Sequence, residues 1–172
     1  TMCTMNHPLE KGLLITVEGI DGSGKDTIAR AMATELERQG QTVFDLDAWS
    51  KTRGALPSLE DTADAQVIFF SEPSYVWIGA AIRQELIRKG TDYSVRTIAE
   101  AFSLDRLILF TRFILPLRAL GKTIIQQRHV STSLIYQPLQ DKNWTVEAAA
   151  ALPGNALEIK EAPDLLVIAS CD

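Results

Sequence analysis

The chain has 172 residues, of which 46% are hydrophobic, so its length and composition fit one domain with a buried core. The 22 acidic residues outnumber the 17 basic residues and give a formal net charge of −5, which argues against a broad basic surface for nucleic acid. Arg106, Arg112 and Arg118 interrupt the most hydrophobic region, so no run approaches the roughly 18 apolar residues of a membrane span.

A glycine-rich loop follows the first predicted strand, LLITVEG (13–19). Residues 19–25, GIDGSGK, match the phosphate-loop pattern G-x-x-x-x-G-K, in which backbone N–H groups turn toward phosphate oxygens and the lysine supplies a cation. An amphipathic helix comes next, because Ile28, Met32 and Leu36 recur every four residues before Gly40. This context predicts an ATP-binding loop made of Gly19, Asp21, Gly22, Ser23, Gly24, Lys25, Asp26 and Thr27.

Asp26 departs from this pattern, which places Ser or Thr after the lysine to bind Mg²⁺. The carboxylate of Asp26 can bind the metal directly or through water, as an anionic ligand. Alternatively, Asp26 faces away as an acid in the first helical turn, and Thr27 makes some of the polar contacts. We favour the first arrangement, in which Mg²⁺ is the cofactor that accompanies ATP.

Strands and helices alternate along the rest of the chain, which is typical of an α/β fold. Residues 51–64 contain Gly, Pro and acidic residues without periodicity and are expected to form a surface loop. Helices are expected at 77–88 and from Val95 to Leu120, where Pro116 kinks the last turn. Further strands are expected at 42–46, 66–70, 122–127 and 164–170. The predicted fold is a P-loop three-layer sandwich with a five-stranded parallel sheet flanked by helices.

Five stretches of the chain, in the same order, resemble the thymidylate kinase family. For example, SEPSYVWIGAAIRQEL (71–86) resembles the family's R-E-P-G-G-T-x-x-G-x-x-I-R segment. The resemblance implies an ATP-dependent kinase that moves the γ-phosphate of ATP onto dTMP to give dTDP. It also implies one P-loop kinase domain over residues 1–172, which lacks the family's lid and C-terminal helix. The matching stretches are EGIDGSGKDT (18–27), residues 71–86, FSLDR (102–106), FILPLRALGKTIIQQRHVSTSLIYQ (113–137) and APDLLVIAS (162–170).

The same resemblance assigns residues to the acceptor nucleotide. Phe102 would stack on the thymine ring, and Arg106, one helical turn later, would bind the carbonyl edge of the base. Arg128 would hold the acceptor phosphate with its forked guanidinium, and Lys25 and Arg128 would be the catalytic residues. The other substrate-binding residues that it implies are Asp21 at the sugar 3′-OH, Glu72, Thr132, Ser133 and Tyr136, which would exclude a ribose 2′-OH.

Three further departures from the family pattern involve four residues. Ser71 stands where the family has an arginine that contacts the acceptor phosphate. Gln127 stands in place of the aspartate of the family's D-R pair, and Ser74 and Tyr75 replace a flexible Gly-Gly pair. Together with Asp26, these departures bear on rate and substrate more than on the fold.

Two other functions are compatible with the sequence. SEPSYVW (71–77) also resembles the E-P-x-x-x-W motif of deoxyribonucleoside kinases, in which Glu72 would take the proton of a 5′-OH and Trp77 completes the motif. A non-catalytic nucleotide-binding protein is the second alternative, because Asp26 and Gln127 both depart from an active site. The ordered set of acceptor residues favours a nucleotide kinase over both.

Location and partners follow from simpler features of the chain. Cys3 and Cys171 lie near opposite ends without metal-binding spacing, which favours a reduced protein over a disulfide scaffold. The first residues lack the apolar core of a secretory signal, so we expect a cytoplasmic location. The family resemblance implies ATP and dTMP as partners, whereas charge and hydrophobicity predict no nucleic acid and no membrane partner. The sequence leaves open whether the chain forms a homodimer.

Overall fold

Five parallel strands form the central sheet of the computed structural model, which describes residues 11–170. The expectations for Cys3, Cys171 and the chain end at Asp172 lie outside the described residues. All five predicted strands are present, with ends within two residues of those predicted. The strands are β1 (Leu14–Glu18), β2 (Val43–Asp45), β3 (Val67–Ser71), β4 (Thr123–Gln127) and β5 (Leu165–Ile168), in the sheet order β2-β3-β4-β1-β5.

Helices occupy most of the connections between these strands. They are α1 (Lys25–Arg38), α2 (Leu46–Arg53), α3 (Trp77–Ala81), α4 (Val95–Leu109), α5 (Leu115–Ala119), α6 (Val130–Gln140), α7 (Val146–Ala150) and α8 (Pro153–Lys160). A π-helical stretch at Ile82–Leu86 extends α3, and another at Phe110–Ile114 joins α4 to α5. The second stretch directly precedes the turn that contains Pro116, whose ring cannot donate a backbone hydrogen bond. Within the described residues, no helix is both long and apolar enough to cross a lipid bilayer.

The surface loop predicted at 51–64 is wrong at its beginning, because α2 continues to Arg53. Asp45 caps this helix by accepting a hydrogen bond from the Ala48 backbone at 2.8 Å. Gly54 ends it with a φ of 66°, a left-handed conformation that glycine adopts without strain. Residues Glu60–Thr62 form a short 3₁₀ turn. Both ends of α2 therefore carried sequence signals, although its apolar residues show little periodicity.

Apolar side chains cover the sheet on both faces and give the predicted three layers. On one face, the π-helical stretch after α4 contributes Phe110 and Phe113. These rings pack in one cluster with Ile68, Phe70 and Ile124 of the sheet. On the other face, α1 packs against the sheet through the residues whose spacing predicted it. That second cluster contains Val17, Val67, Phe69 and Ile125 of the sheet with Ile28, Ala29, Met32, Ala33 and Leu36 of α1.

The order of the strands determines where a ligand can bind. The connection after β1 leads toward β2 at one edge of the sheet, whereas the connection after β4 leads to β5 on the other side of β1. β1 and β4 are adjacent, with Val17 opposite Gln127. Open α/β sheets bind ligands at such a crevice, beyond the carboxyl ends of two strands whose connections diverge. The glycine loop and the residues after Gln127 meet at this point.

Candidate active site

The glycine loop joins β1 to the amino end of α1. Gly22 and Gly24 have φ values of 84° and 81°, in the left-handed region where other residues would be strained. No side chain caps α1, so the backbone N–H groups of its first turn stay available to an anion. Lys25 is 4% exposed, and its Nζ donates to the Ile20 carbonyl at 3.0 Å. The loop thus combines free N–H groups with a positioned cation, which suits a phosphate chain.

Two neighbouring cavities lie over the carboxyl ends of the strands. The first has a volume of about 430 Å³ and is lined by the glycine loop, and the second has a volume of about 400 Å³. Asp21, Arg83 and Arg128 line both cavities. Two guanidinium groups therefore stand at the boundary between the cavity of the glycine loop and the second cavity, where a group could pass from one ligand to another.

Most of the residues predicted for the ATP loop lie in the first cavity. The lining includes Asp21, Gly22, Gly24, Lys25, Asp26 and Thr27. Gly19 and Ser23 belong to the same loop but are not among the lining residues. Gln127, the last residue of β4, also lines the cavity, and its side-chain Nε2 donates a hydrogen bond to Oδ1 of Asp26. Two of the residues that depart from the family pattern are therefore in direct contact.

Arg128 is held at the boundary by its backbone and by its side chain. Its φ is 70°, an uncommon value for a residue other than glycine, and such outliers cluster at functional sites. Its backbone N–H donates to the Val17 carbonyl at 2.9 Å, and its Nη2 donates to Oδ1 of Asp21 at 2.7 Å. The hydrogen bond and the charge of Arg128 lower the pKa of Asp21, with a smaller contribution from Lys25. Asp21 thus stays ionised between two cations.

Arg83 is a cavity residue that was missing from the predicted site. Its Nη2 donates to the Ser71 hydroxyl at 3.2 Å, and its guanidinium lies 3.9 Å from the centre of the Tyr75 ring. The Ser71 hydroxyl donates to the buried carboxylate of Asp47 at 2.6 Å. Arg83 therefore places a guanidinium beside the position where Ser71 replaces an arginine. The signal was present in the sequence, since Arg83 is the arginine of the I-R pair in the stretch 71–86.

Besides Asp21 and Arg128, the second cavity contains four of the residues predicted for the acceptor. Phe102 comes from α4, and Thr132, Ser133 and Tyr136 come from α6. Gln137 lines the same cavity and was not predicted. It is 4% exposed, and its amide oxygen has no hydrogen-bond partner among residues 11–170. An aromatic ring and an unsatisfied amide in one cavity suit a flat ligand with polar edges.

Glu18 was also absent from the predicted site, although its carboxylate connects the glycine loop to the first turn of α6. Its carboxylate accepts hydrogen bonds from the backbone of Gly19 at 2.9 Å and of His129 at 3.1 Å. The hydroxyls of Ser131 and Thr132 donate to the same carboxylate at 2.8 and 2.9 Å. Glu18 thus ties the end of β1 to the first turn of α6, so that the loop and the second cavity keep a fixed relation.

Arg106 lies outside the lining of both cavities, in a buried cluster of charged groups. It is 2% exposed, and its Nε and Nη2 donate to Oε2 of Glu72 at 3.0 and 2.8 Å. Oε2 of Glu158, in α8, lies 2.5 Å from the same Nε. Gln126 donates to both carboxylates, at 3.0 Å to Glu72. The predicted contact of Arg106 with a base would require its guanidinium to exchange these partners.

Burial dominates the protonation of this cluster. It raises the pKa of Glu72 from 4.5 to about 8, against the opposing charge of Arg106. Burial also raises the pKa of Glu158 and lowers the pKa of His129, which lies beside it. Two carboxylates share one guanidinium, so a proton bound to the pair relieves the repulsion between them.

The raised pKa of Glu72 predicts a specific dependence of stability on pH. Between pH 4.5 and about 8 the folded protein holds a proton that the unfolded chain has released, so the free energy of unfolding falls as pH rises through this range. Glu72→Gln should make this decline shallower, because the amide cannot titrate. Urea unfolding of the wild type and of the variant at several pH values measures both slopes. Glu100→Gln, an exposed change on α4, is the control, and equal slopes for Glu72→Gln and the wild type would contradict the assignment.

Comparisons with known proteins match this arrangement to one family. A family sequence model described as thymidylate kinase matches residues 55–172. The chain is 28% identical over 158 residues to a probable thymidylate kinase of Caldivirga maquilingensis, with 91% of this chain and 62% of that protein covered. It is 30% identical over 151 residues to a thymidylate kinase of Shouchella clausii, with 87% of this chain and 59% of that protein covered. The chain thus spans less than two thirds of the length of these curated relatives.

A solved structure has the same fold. The crystal structure of thymidylate kinase from Ehrlichia chaffeensis superposes with a TM-score of 0.64 and covers 94% of this chain and 74% of that one. The sequence identity of this pair is 24%, so the likeness concerns the fold. This likeness agrees with the five-stranded parallel sheet flanked by helices that the sequence predicted.

Proposed function

The chain belongs to the thymidylate kinase family, and from this premise we propose that it transfers the γ-phosphoryl group of ATP to the phosphate of dTMP, giving dTDP. The observation that supports this most directly is the boundary between the two cavities, where Asp21, Arg83 and Arg128 line both. Phosphoryl transfer needs a donor and an acceptor in line, with cations around the transferring group. The two neighbouring cavities and the two guanidinium groups at their boundary support such an arrangement.

The first cavity is the proposed ATP site. The N–H groups of the loop from Gly19 to Thr27 would surround the phosphate oxygens, and Lys25 would neutralise charge between the β and γ phosphates. Lys25 already has a buried stem and a carbonyl partner, so little freedom is lost when it meets a phosphate. The catalytic contribution of the loop is therefore electrostatic and depends on fixed positions.

Mg²⁺ fits the donor groups of the first cavity. No group of three or more His, Cys, Asp or Glu side chains suited to hold a metal occurs within residues 11–170. Mg²⁺ in kinases is held by one or two carboxylates together with phosphate oxygens, so Asp26 alone can provide the protein carboxylate. When bound, Mg²⁺ would neutralise charge on the phosphate oxygens of ATP.

The second cavity is the proposed acceptor site. Arg83 and Arg128 would bind the phosphate of dTMP, and Asp21 would reach the sugar 3′-OH. Phe102 would stack on the base, with Thr132, Ser133 and Tyr136 around the sugar and base. The amide of Gln137 offers a donor and an acceptor, which match the N–H and carbonyl groups of the thymine edge. Arg106 stays a predicted base contact that depends on a change of partner.

The alternative of a nucleoside kinase requires Glu72 as a base. Glu72 is 3% exposed, and both of its carboxylate oxygens already accept hydrogen bonds, from Arg106 and Gln126. A general base must come within hydrogen-bond reach of the proton that it takes, and Glu72, although it lines the first cavity, would have to exchange these partners to do so. A purely nucleotide-binding protein would have no use for a second cavity that shares two arginines with the first. Neither alternative is favoured.

The choice of acceptor can be tested directly with the purified protein. We expect dTMP to be phosphorylated far better than thymidine. Arg128→Gln should raise the Michaelis constant for dTMP by roughly 10- to 100-fold, the loss of one or two hydrogen bonds to a charged group, while ATP binding changes little. Initial rates with each acceptor measure both effects, and Arg38→Gln, an exposed change on α1, is the control. Turnover of thymidine without turnover of dTMP would overturn the proposal.

The proposal extends to location and partners. A cytoplasmic location agrees with the two cysteines of the chain, and a net charge of −5 agrees with small anionic substrates bound at a local cationic site rather than with nucleic acid. A homodimer stays a prediction that light scattering of the purified protein can test.

A further inference from the structure

The contact between Asp26 and Gln127 joins two positions that are 101 residues apart in the chain. Asp26 lies in the first turn of α1, directly after Lys25, and its side chain is exposed to the first cavity. Gln127 ends β4 and is 9% exposed. Because β1 and β4 are adjacent and parallel, the start of α1 and the end of β4 meet at the same edge of the sheet. Each of the two residues is unusual for its position.

The two departures are complementary in charge. Phosphate-loop proteins hold Mg²⁺ with a neutral Ser or Thr hydroxyl after the loop lysine and with an aspartate on a strand of the same sheet. Here the carboxylate is on the helix, at Asp26, and the neutral side chain is on the strand, at Gln127. The two exchanges together leave one carboxylate at these two positions. Either exchange alone would leave two or none.

We propose that Asp26 and Gln127 are a reciprocal exchange in the metal site, in which Asp26 supplies the carboxylate for Mg²⁺ and Gln127 positions it. The amide of Gln127 donates to one carboxylate oxygen, which fixes the side chain at the helix end. An amide adds no charge of its own, so positions 26 and 127 together present one negative group to the triphosphate. This inference rests on the proposed binding of ATP.

A different role for Asp26 would be to stabilise the helix. An acid in the first turn interacts favourably with the helix dipole, an effect of about 0.3–1 kcal/mol at an exposed site. That role predicts a small change in thermal stability and no change in the effect of Mg²⁺ on nucleotide binding. It also gives no reason for the glutamine on the strand. The contact between the two side chains is explained by the exchange and not by the dipole.

Four proteins test the exchange: the wild type, Asp26→Ser, Gln127→Asp and the double variant. Calorimetry without acceptor gives the ATP dissociation constant in EDTA and in saturating Mg²⁺. The constant in EDTA divided by the constant in Mg²⁺ measures the coupling between metal and nucleotide. This ratio should increase with the number of carboxylates at positions 26 and 127. We expect it to fall about tenfold or more in Asp26→Ser, to rise in Gln127→Asp, and to return to near the wild-type value in the double variant.

Two control variants distinguish a loss of metal coupling from a general effect on folding. ATP binding by the wild type tests the proposed function separately. Asp26→Asn keeps the shape of the side chain and should lower the ratio as Asp26→Ser does, whereas Glu37→Ser removes a charge from the exposed far end of α1 and should leave it unchanged. An unchanged ratio in both Asp26 variants, or a double variant that stays at the Asp26→Ser value, would overturn the exchange. Wild-type protein that binds no ATP in either condition would instead refute the proposed function and the exchange with it.

Discussion

Lys25→Met should lower the rate of phosphoryl transfer at least a hundredfold, on the order of the loss seen when one preorganised charge-stabilising group is removed. The reason lies in the position of the lysine. Its side chain is 5% exposed, and its Nζ lies 3.0 Å from the Ile20 carbonyl and 3.3 Å from Asp21, inside the cavity formed by the glycine loop. Methionine preserves the length of the stem but removes the cation, so charge that develops between the β and γ phosphates loses its partner. Turnover of ATP and dTMP measures the loss.

Two comparisons give this prediction its meaning. Lys160→Met removes an exposed lysine from the end of α8 and should leave turnover unchanged. The thermal midpoint of Lys25→Met should stay near that of the wild type, because the ion pair that it breaks involves the exposed Asp21, and such pairs contribute little. Near-normal turnover in Lys25→Met would be incompatible with an ATP site at this loop.

Arg106→Met should reduce the free energy of unfolding by about 3–5 kcal/mol at neutral pH, the usual result of removing one partner of a buried ion pair. The side chains of Arg106, Glu72 and Glu158 are 2%, 4% and 0% exposed, so the carboxylates left behind cannot turn to water. The loss should be smaller at pH 5, because protonating both carboxyls of the folded variant costs less free energy there than at neutral pH. Urea unfolding at the two pH values measures the difference.

The same helix provides a matched control for this change. Arg96 pairs with Glu100 on the exposed side of α4 at 2.8 Å, and such surface pairs are worth about 0.3–0.5 kcal/mol. Arg96→Met should therefore cost far less than Arg106→Met and show little dependence on pH. Equal losses for the two variants would mean that the buried cluster adds nothing to stability beyond an ordinary surface pair.

The sequence predicted the strands and the glycine loop because their signals are local. The parallel strands are short apolar runs, and the phosphate loop consists of consecutive residues whose backbone conformation glycine permits. The resemblance to thymidylate kinases, drawn from ordered motifs, is confirmed by the family match over residues 55–172. Helices α6, α7 and α8 were not predicted, since α7 is five residues long and α6 contains Pro138.

The site was harder to predict where it depends on distant partners. Arg106 is part of a recognisable motif, but its carboxylate partner Glu158 lies in the unpredicted helix α8. Without that helix, nothing in the sequence indicated that the guanidinium would be buried. The contact between Asp26 and Gln127 likewise needs the pairing of β1 with β4, which no local pattern contains. In both cases the sequence shows which residues are present, but it does not show which residues they contact.

The position of β1 in the sheet also determines the order in which the site can form during synthesis. β1 is made before the other four strands of the sheet, and its two neighbours, Thr123–Gln127 and Leu165–Ile168, follow more than a hundred residues later. Until then both of its edges lack partners, a state that exposes β-strands to mispairing. The glycine loop at its end therefore cannot acquire its final surroundings before Arg128 has emerged. The glycine loop is therefore synthesised long before the residues that complete its surroundings.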